Sequence, residues 1–458
     1  MQPVARDENG AAWTPILSGR EGAAAREVVH EIAAFARRVE PEHAGLASGA
    51  AGIAVFLAYY AAAFGDEAAA DRASELLDRA ADRVADTPMT SSLYAGFTGI
   101  AWAVQHLTGA VGDGGDDGDG DGDGGGDGGG DDGDGEHDPG AEIDELIGQL
   151  LARDEWLGPY DLMSGLVGLA VHALERMPRP GARSRLQRIA WHLDRLARPV
   201  APGVAWHTAP ELLPVWQREA SPAGHIDLGV AHGNPGVLAV LAKIAAQGVA
   251  PDRTAALFEA GVASLLSRWI AGHPGGCFAS WIAGTGGDAT PSRLAWCYGD
   301  LGLAAALLVG ARAVGCARTE RAALELARLA AARADDAAGV VDAGLCHGAL
   351  GNAHVFNRMY QATGDHRLLE AARSWARCGL GFRRPGEGAA GFSARRSLAD
   401  GSLCWEADPG LLSGAAGIGL ALMAACTDLT PAWDCLFLVD AAPRAHRPPS
   451  GAAGGSRS

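Results

Sequence analysis

The sequence predicts an all-α fold: an α/α toroid, or double barrel, of seven inner and about seven outer helices. Three observations predict it. A short unit, Gly-x-x-Gly followed by an apolar helix, recurs seven times. The first glycines of the copies, Gly49, Gly96, Gly165, Gly233, Gly299, Gly348 and Gly414, stand 47 to 69 residues apart, the period of stacked supersecondary units. Between the copies lie helical stretches of a second kind, amphipathic rather than apolar all round. Buried helices alternating with half-exposed ones make an inner ring inside an outer ring.

Taken in order, residues 21–38 carry apolar positions at three- and four-residue spacing among Arg and Glu and read as the first outer helix. Gly49-Ala-Ala-Gly52 opens the apolar run that begins at Ile53, the first inner helix. Residues 66–84 are outer again, and Gly96-Phe-Thr-Gly99 opens the second inner helix. Residues 141–153 precede Gly165-Leu-Val-Gly168, and residues 183–196 precede Gly233-Asn-Pro-Gly236. Residues 253–268 lead to Gly299-Asp-Leu-Gly302 and the run Leu303-Ala-Ala-Ala-Leu-Leu. Residues 319–332 lead to Gly348-Ala-Leu-Gly351, and residues 367–378 to Gly414-Ala-Ala-Gly417. The glycines let the chain turn tightly and let neighbouring backbones approach. Side chains in these turns should converge on one end of the barrel, where a site is expected. Residues 200–225 and 271–291 are long connections bearing Trp206, Trp216 and Trp281, candidates for extra structure over that mouth.

Length alone, 458 residues, suggests about three domains. The repeats argue instead for a single toroid over residues 21–440, with an N-terminal extension of residues 1–20 and a disordered tail over 441–458. Residues 112–138 are almost entirely Gly and Asp and have no core to bury, so they read as a disordered insertion. They lack the ligand spacing of a calcium loop. Removing their eleven Asp and one Glu takes the net charge from -18 to -6. The acidity is therefore local, and nothing points to nucleic acid. Eight cysteines scattered through helical patterns in a long chain favour reduced thiols and a cytoplasmic protein. No signal peptide is visible. The longest apolar run, residues 53–64, is too short to span a bilayer.

Two of the turns carry soft ligands. Trp296-Cys297-Tyr298-Gly299 and Cys346-His347-Gly348 place two thiols and an imidazole just before inner helices. Free cysteine is usually a small buried hydrophobe. The Cys346-His347 pair, with Cys297 in a matching turn, points instead to zinc. Three protein ligands with one open position is the pattern of a catalytic rather than a structural zinc site.

The Gly-x-x-Gly repeats with the Trp-Cys-Tyr-Gly and Cys-His-Gly motifs resemble the lanthionine synthetase C-like family, the lanthipeptide cyclases, over nearly the whole chain. The resemblance implies an α/α toroid with one zinc at its mouth, held by Cys297, Cys346 and His347. It implies addition of a peptide cysteine thiol to dehydroalanine or dehydrobutyrine, closing a thioether ring. It places a proton-donating histidine at His232, in the His-Gly of the fourth turn, and a mouth aspartate at Asp161. Arg293 and Tyr298 match further family positions, where they could hold the anionic enolate. Asp161 has a competing reading as a helix cap, and Arg293 and Tyr298 as supports of their loop. Asp300 and Asn352 read as caps, and the turns at Gly49, Gly96 and Gly414 as purely architectural, although Glu42, His43 and Tyr94 could line the mouth.

The chemistry agrees with the residues. A zinc-bound thiol is deprotonated near neutral pH, and two protein thiolates leave a third sulfur electron-rich. A histidine titrating near neutrality suits proton delivery to the enolate. The toroid pattern starts near residue 21, so a free-standing cyclase is expected. It would act on a dehydrated precursor peptide, with a separate dehydratase and an exporter as further partners. Two alternatives remain. One is a glutathione-binding member of the same family. The other is an α/α-toroid glycosidase using Asp161 with Asp227 or Glu406 as acid and base.

Overall fold

The computed structural model describes residues 13–109, 138, 140–283, 290–398 and 402–442. The Asp/Gly tract, apart from Asp138, and the tail from residue 443 lie outside the described residues. Among the described residues the helices follow the order α1 (Gly19–Ala36), α2 (Ala50–Phe64), α3 (Glu67–Asp86), α4 (Phe97–Thr108), α5 (Ala141–Leu151), α6 (Leu166–Glu175), α7 (Pro180–Leu196), α8 (Val215–Ala220), α9 (Asn234–Ala246), α10 (Pro251–Leu266), α11 (Asp300–Ala313), α12 (Ala317–Ala331), α13 (Ala349–Thr363), α14 (His366–Gly381) and α15 (Ala415–Cys426).

Seven of these, α2, α4, α6, α9, α11, α13 and α15, start at the Gly-x-x-Gly turns. Each packs on the next, and α15 returns to α2, so they form a closed inner ring. Helices α3, α7, α10, α12 and α14 cover the inner helix that precedes each of them. Helix α5 packs between α4 and α7, and α1 covers α15, so the start of the chain closes over its end. The fold is an α/α toroid. Composition explains the two layers. Every residue of α15 is buried, whereas α12 buries Thr319, Ala323, Leu326, Ala327 and Ala330, a single stripe at helical spacing. Trp13, Ile16 and Leu17, ahead of α1, are buried too, and the Trp13 indole N–H donates to the carbonyl of Ala424 at 2.7 Å.

The second glycine of each turn allows a close backbone approach. A Cβ on Gly302 would lie 1.9 Å from the carbonyl oxygen of Trp296. The same contact, to the carbonyl six residues earlier, recurs at Gly52, Gly99, Gly351 and Gly417. Each turn is thereby folded flat against the start of its own helix.

The turns are stitched to one another by backbone hydrogen bonds. The residue two places before each first glycine donates its N–H to the carbonyl of its counterpart in the next turn. Ala47 donates to Tyr94 (2.8 Å), Tyr94 to Met163 (3.5 Å), Met163 to Ala231 (3.3 Å) and Ala231 to Cys297 (3.4 Å). Cys297 then donates to Cys346 (3.2 Å), Cys346 to Leu412 (2.8 Å), and Leu412 back to Ala47 (2.9 Å). The mouth of the toroid is thus a closed seven-membered ring of backbone contacts.

Below this ring, the chain after α15 re-enters the barrel. Trp433, Asp434, Leu436 and Phe437 of a short 3-10 turn are buried. Asp434 accepts hydrogen bonds from His354 (2.9 Å) and Arg358 (2.7 Å) of α13. Tyr94 donates to the carbonyl of Leu436 at 2.9 Å, so it points into the barrel rather than lining the mouth. The Trp296 indole donates to Phe437 at 2.7 Å, which anchors the loop carrying Cys297.

Among the described residues three antiparallel ribbons join the helices: β1 (Arg198–Val200) with β2 (Gly203–Ala205), β3 (His225–Asp227) with β4 (Trp281–Ala283), and β5 (Ala394–Ser397) with β6 (Leu403–Glu406). The β3–β4 pair joins the two Trp-bearing connections expected to carry extra structure. The β5–β6 hairpin was not expected, because Arg395, Arg396 and Glu406 interrupt any apolar alternation. Asp300 is a correction. It starts α11 without capping it; its buried carboxylate instead accepts the N–H groups of Cys277 (2.9 Å) and Phe278 (3.0 Å) and pairs with Arg333. Local sequence shows an acid at a helix start but cannot show which distant amides reach it.

Candidate active site

The backbone ring decides which side chains meet. Cys297 and Cys346 occupy the same ring position in neighbouring turns, so their thiols are presented side by side. His347 follows Cys346 directly. The two sulfurs and an imidazole nitrogen all lie within 4.8 Å of one another. Nδ1 of His347 is buried with no hydrogen-bond partner, while Nε2 stands 3.7 Å from the Asp342 carboxylate. Two thiols with an imidazole whose Nδ1 is unpartnered fit the donor set of zinc.

The electrostatics favour a thiolate here. Cys297 is held well below the ordinary thiol range, first by the hydrogen bond from Cys346. Burial opposes this, and His347 and Arg293 add to it. The Arg293 guanidinium lies 3.9 Å from the Cys297 sulfur. Cys346 is pushed up in turn, by its pairing with Cys297 and by burial.

The position after the ring residue is filled by His232, Tyr298 and His347 in three consecutive turns. His232 Nδ1 is hydrogen-bonded to Asp161 Oδ2 at 2.7 Å. The other oxygen of Asp161 accepts the Ser164 N–H at 2.7 Å. Asp161 therefore caps its turn and orients the histidine at once. The His232 side chain is 46% exposed at the mouth. Its crowded surroundings favour the neutral ring. The hydrogen bond and charge of Asp161, with the charges of Asp227 and Cys297, outweigh that and push its pKa up to about 9. The rings of His232 and Tyr298 are stacked with centroids 6.3 Å apart. The Tyr298 hydroxyl donates to Asp227 Oδ2 at 2.9 Å. Its single proton is thus engaged, and the Tyr298 pKa rises well above the usual value, through burial and then the Asp227 charge.

These groups share one cavity of about 360 Å³. His232, Arg293, Cys297, Tyr298, Cys346 and His347 all line it, and Asp161 stands behind His232. The β5–β6 hairpin also lines it, through Arg395, Arg396 and Glu406, together with Asp408. Ser48 and Ser413 also line it, so two turns read as architectural reach the site.

The model of the lanthionine synthetase C-like protein family matches residues 40–114 and 136–438, well over half the chain. This chain belongs to the lanthionine synthetase C-like family. Among solved structures, nisin cyclase superposes on this family member with a TM-score of 0.68 at 17% identity, covering 91% of this chain and 97% of that one. At that identity the likeness speaks for the fold. No curated protein matches the chain in sequence.

For this LanC-like chain, all seven residues singled out in the sequence meet around one cavity. Sequence reasoning passed over Asp342 and gave Asp227 no place beside Tyr298. A signal existed for both. Six places before the first glycine stand Asp227, Arg293, Asp342 and Asp408 in four successive turns, so aligning the repeats by position picks them out together. Among the described residues no helix is long and apolar enough to cross a membrane.

Proposed function

We propose that this chain is a zinc-dependent lanthipeptide cyclase. It would add a cysteine thiol of a dehydrated precursor peptide to a dehydroalanine or dehydrobutyrine of the same peptide. The observation that carries this reading is the meeting of the Cys297–Cys346–His347 donor set with the His232–Asp161 pair on one cavity. Membership of the family supports it.

Cys297, Cys346 and His347 would hold the ion, which supplies a Lewis-acidic centre that keeps the incoming cysteine sulfur as thiolate. Arg293, beside the Cys297 sulfur, offsets the negative charge that collects there. As the new C–S bond forms, the electron pair of the C=C bond moves onto the α-carbon and its carbonyl. His232, protonated at neutral pH and held through Nδ1 by Asp161, gives its Nε2 proton to the α-carbon. The thiol proton released at the start returns the histidine to its acid form through solvent. Tyr298, with its proton on Asp227, buttresses the His232 ring and offers the cavity only acceptor lone pairs.

The carboxylates a glycosidase would need are otherwise engaged. Asp161 binds His232 and Ser164, Asp227 binds Tyr298 and Gly229, and Glu406 pairs with Arg396. The test is incubation of the zinc-loaded chain with a dehydrated peptide, alone and with glutathione. Ring closure leaves the mass unchanged and removes an alkylatable thiol. Addition of glutathione raises the mass and would favour the glutathione-binding alternative. An unchanged thiol count with no adduct would overturn both.

A further inference from the structure

Asp342 sits at the start of the turn that carries Cys346 and His347 and is 2% exposed. Among the described residues no Lys or Arg side chain pairs with it, whereas Arg333 pairs with Asp300. Its carboxylate is spent on three neighbours. Oδ1 accepts the Gly344 N–H at 3.3 Å, within its own turn. Oδ2 accepts the backbone N–H of Arg395 at 3.1 Å, from strand β5. The same Oδ2 faces Nε2 of His347 at 3.7 Å. His347 therefore has one nitrogen turned to a buried carboxylate and the other, Nδ1, buried with no partner.

We propose that Asp342 is a positioning residue: it sets the tautomer and orientation of His347 for the metal and ties that imidazole to the β5–β6 hairpin. The inference rests on the reading of Cys297, Cys346 and His347 as metal ligands. A carboxylate opposite Nε2 keeps the proton on that nitrogen. Nδ1 then has its lone pair free, and the carboxylate makes it a stronger donor. The contact with Arg395 uses backbone, not side chain. In the β5–β6 ladder Arg395 is paired with Trp405, yet its N–H goes to Asp342. The strand that walls the cavity and the ring that binds the ion thus share one oxygen. A shift of the hairpin would move that oxygen and with it the imidazole.

The test uses the full chain with Zn²⁺ or Co²⁺ as the probe and chelator competition as the readout. Asp342→Asn keeps an oxygen for Gly344 but loses the charge facing His347. It should weaken zinc binding by about 10- to 100-fold, shift the Co²⁺ absorption bands and leave the thermal midpoint of the metal-free chain near wild type. Arg395→Pro deletes the N–H that Asp342 accepts, at a strand position whose N–H is not used in the ladder. It should weaken metal binding in the same direction, whereas Arg395→Ala, which keeps that N–H, should not. Wild-type affinity and spectrum in both Asp342→Asn and Arg395→Pro would overturn the inference alone. A wild-type chain that binds neither ion would overturn the metal reading, and this inference with it.

Discussion

Cys297 donates its backbone N–H to the carbonyl of Cys346 at 3.2 Å. That single bond puts two thiols from different repeats side by side. It belongs to the seven-membered ring that closes the mouth, so the spacing of the two sulfurs is set by the whole toroid rather than by either loop.

The metal should therefore depend on the thiols while the toroid does not depend on the metal. Cys346→Ala is expected to lose most bound zinc and to keep its helical signal and cooperative unfolding. Metal analysis of the purified variants checks this. Stoichiometric zinc in the Cys297→Ala/Cys346→Ala double variant would rule out the assignment.

His232→Ala should retain zinc yet close rings about 100-fold more slowly or worse, the usual scale of general-acid catalysis. The acid form of His232 is present below its pKa of about 9 and disappears above it. The wild-type rate should hold through neutral pH and fall as pH rises through about 9. In Asp161→Asn the charge that helps raise the pKa is gone, so the fall should begin at lower pH. Initial rates on a dehydrated peptide across pH decide this, and an unmoved profile in Asp161→Asn would disconnect the pair.

Tyr298→Phe leaves a buried Asp227 oxygen without its donor. The expected cost is about 1–3 kcal/mol, read from the denaturation midpoint, with a smaller loss of cyclisation rate than His232→Ala. An equal loss of rate would make Tyr298 the proton donor instead.

Gly302→Ala forces a methyl against the Trp296 carbonyl and should destabilise the chain by about 3 kcal/mol, the upper end for overpacking. Gly148→Ala in α5, where a Cβ meets nothing within 4 Å, should stabilise by about 0.5–1 kcal/mol. Thermal unfolding of the two variants separates close approach from helix propensity. Similar midpoints would show that the Gly302 turn can open.

Helix positions were legible in the sequence to within a few residues, since burial writes its period into consecutive residues. The first outer helix, read as 21–38, is Gly19–Ala36, and the sixth, read as 319–332, is Ala317–Ala331. The donor set was legible because Cys346 and His347 are adjacent and Cys297 sits in a turn of matching shape. The β5–β6 hairpin was not, since its short charged strands carry no periodic pattern.

What the sequence by itself determined is therefore the list of parts: seven apolar helices, their glycine turns, and the turns that bear thiols and imidazoles. Tertiary structure alone decided the pairings. Asp161 meets His232, Asp227 meets Tyr298, and Asp342 meets both His347 and the amide of Arg395. Asp300, placed like a cap, is drawn instead to Arg333 and the amides of 277 and 278. The reason is physical. Helix formation and turn geometry are set by neighbours along the chain, whereas these carboxylates, apart from the contact of Asp342 with His347 in its own turn, take their partners from elements that come near only when the chain folds into the toroid.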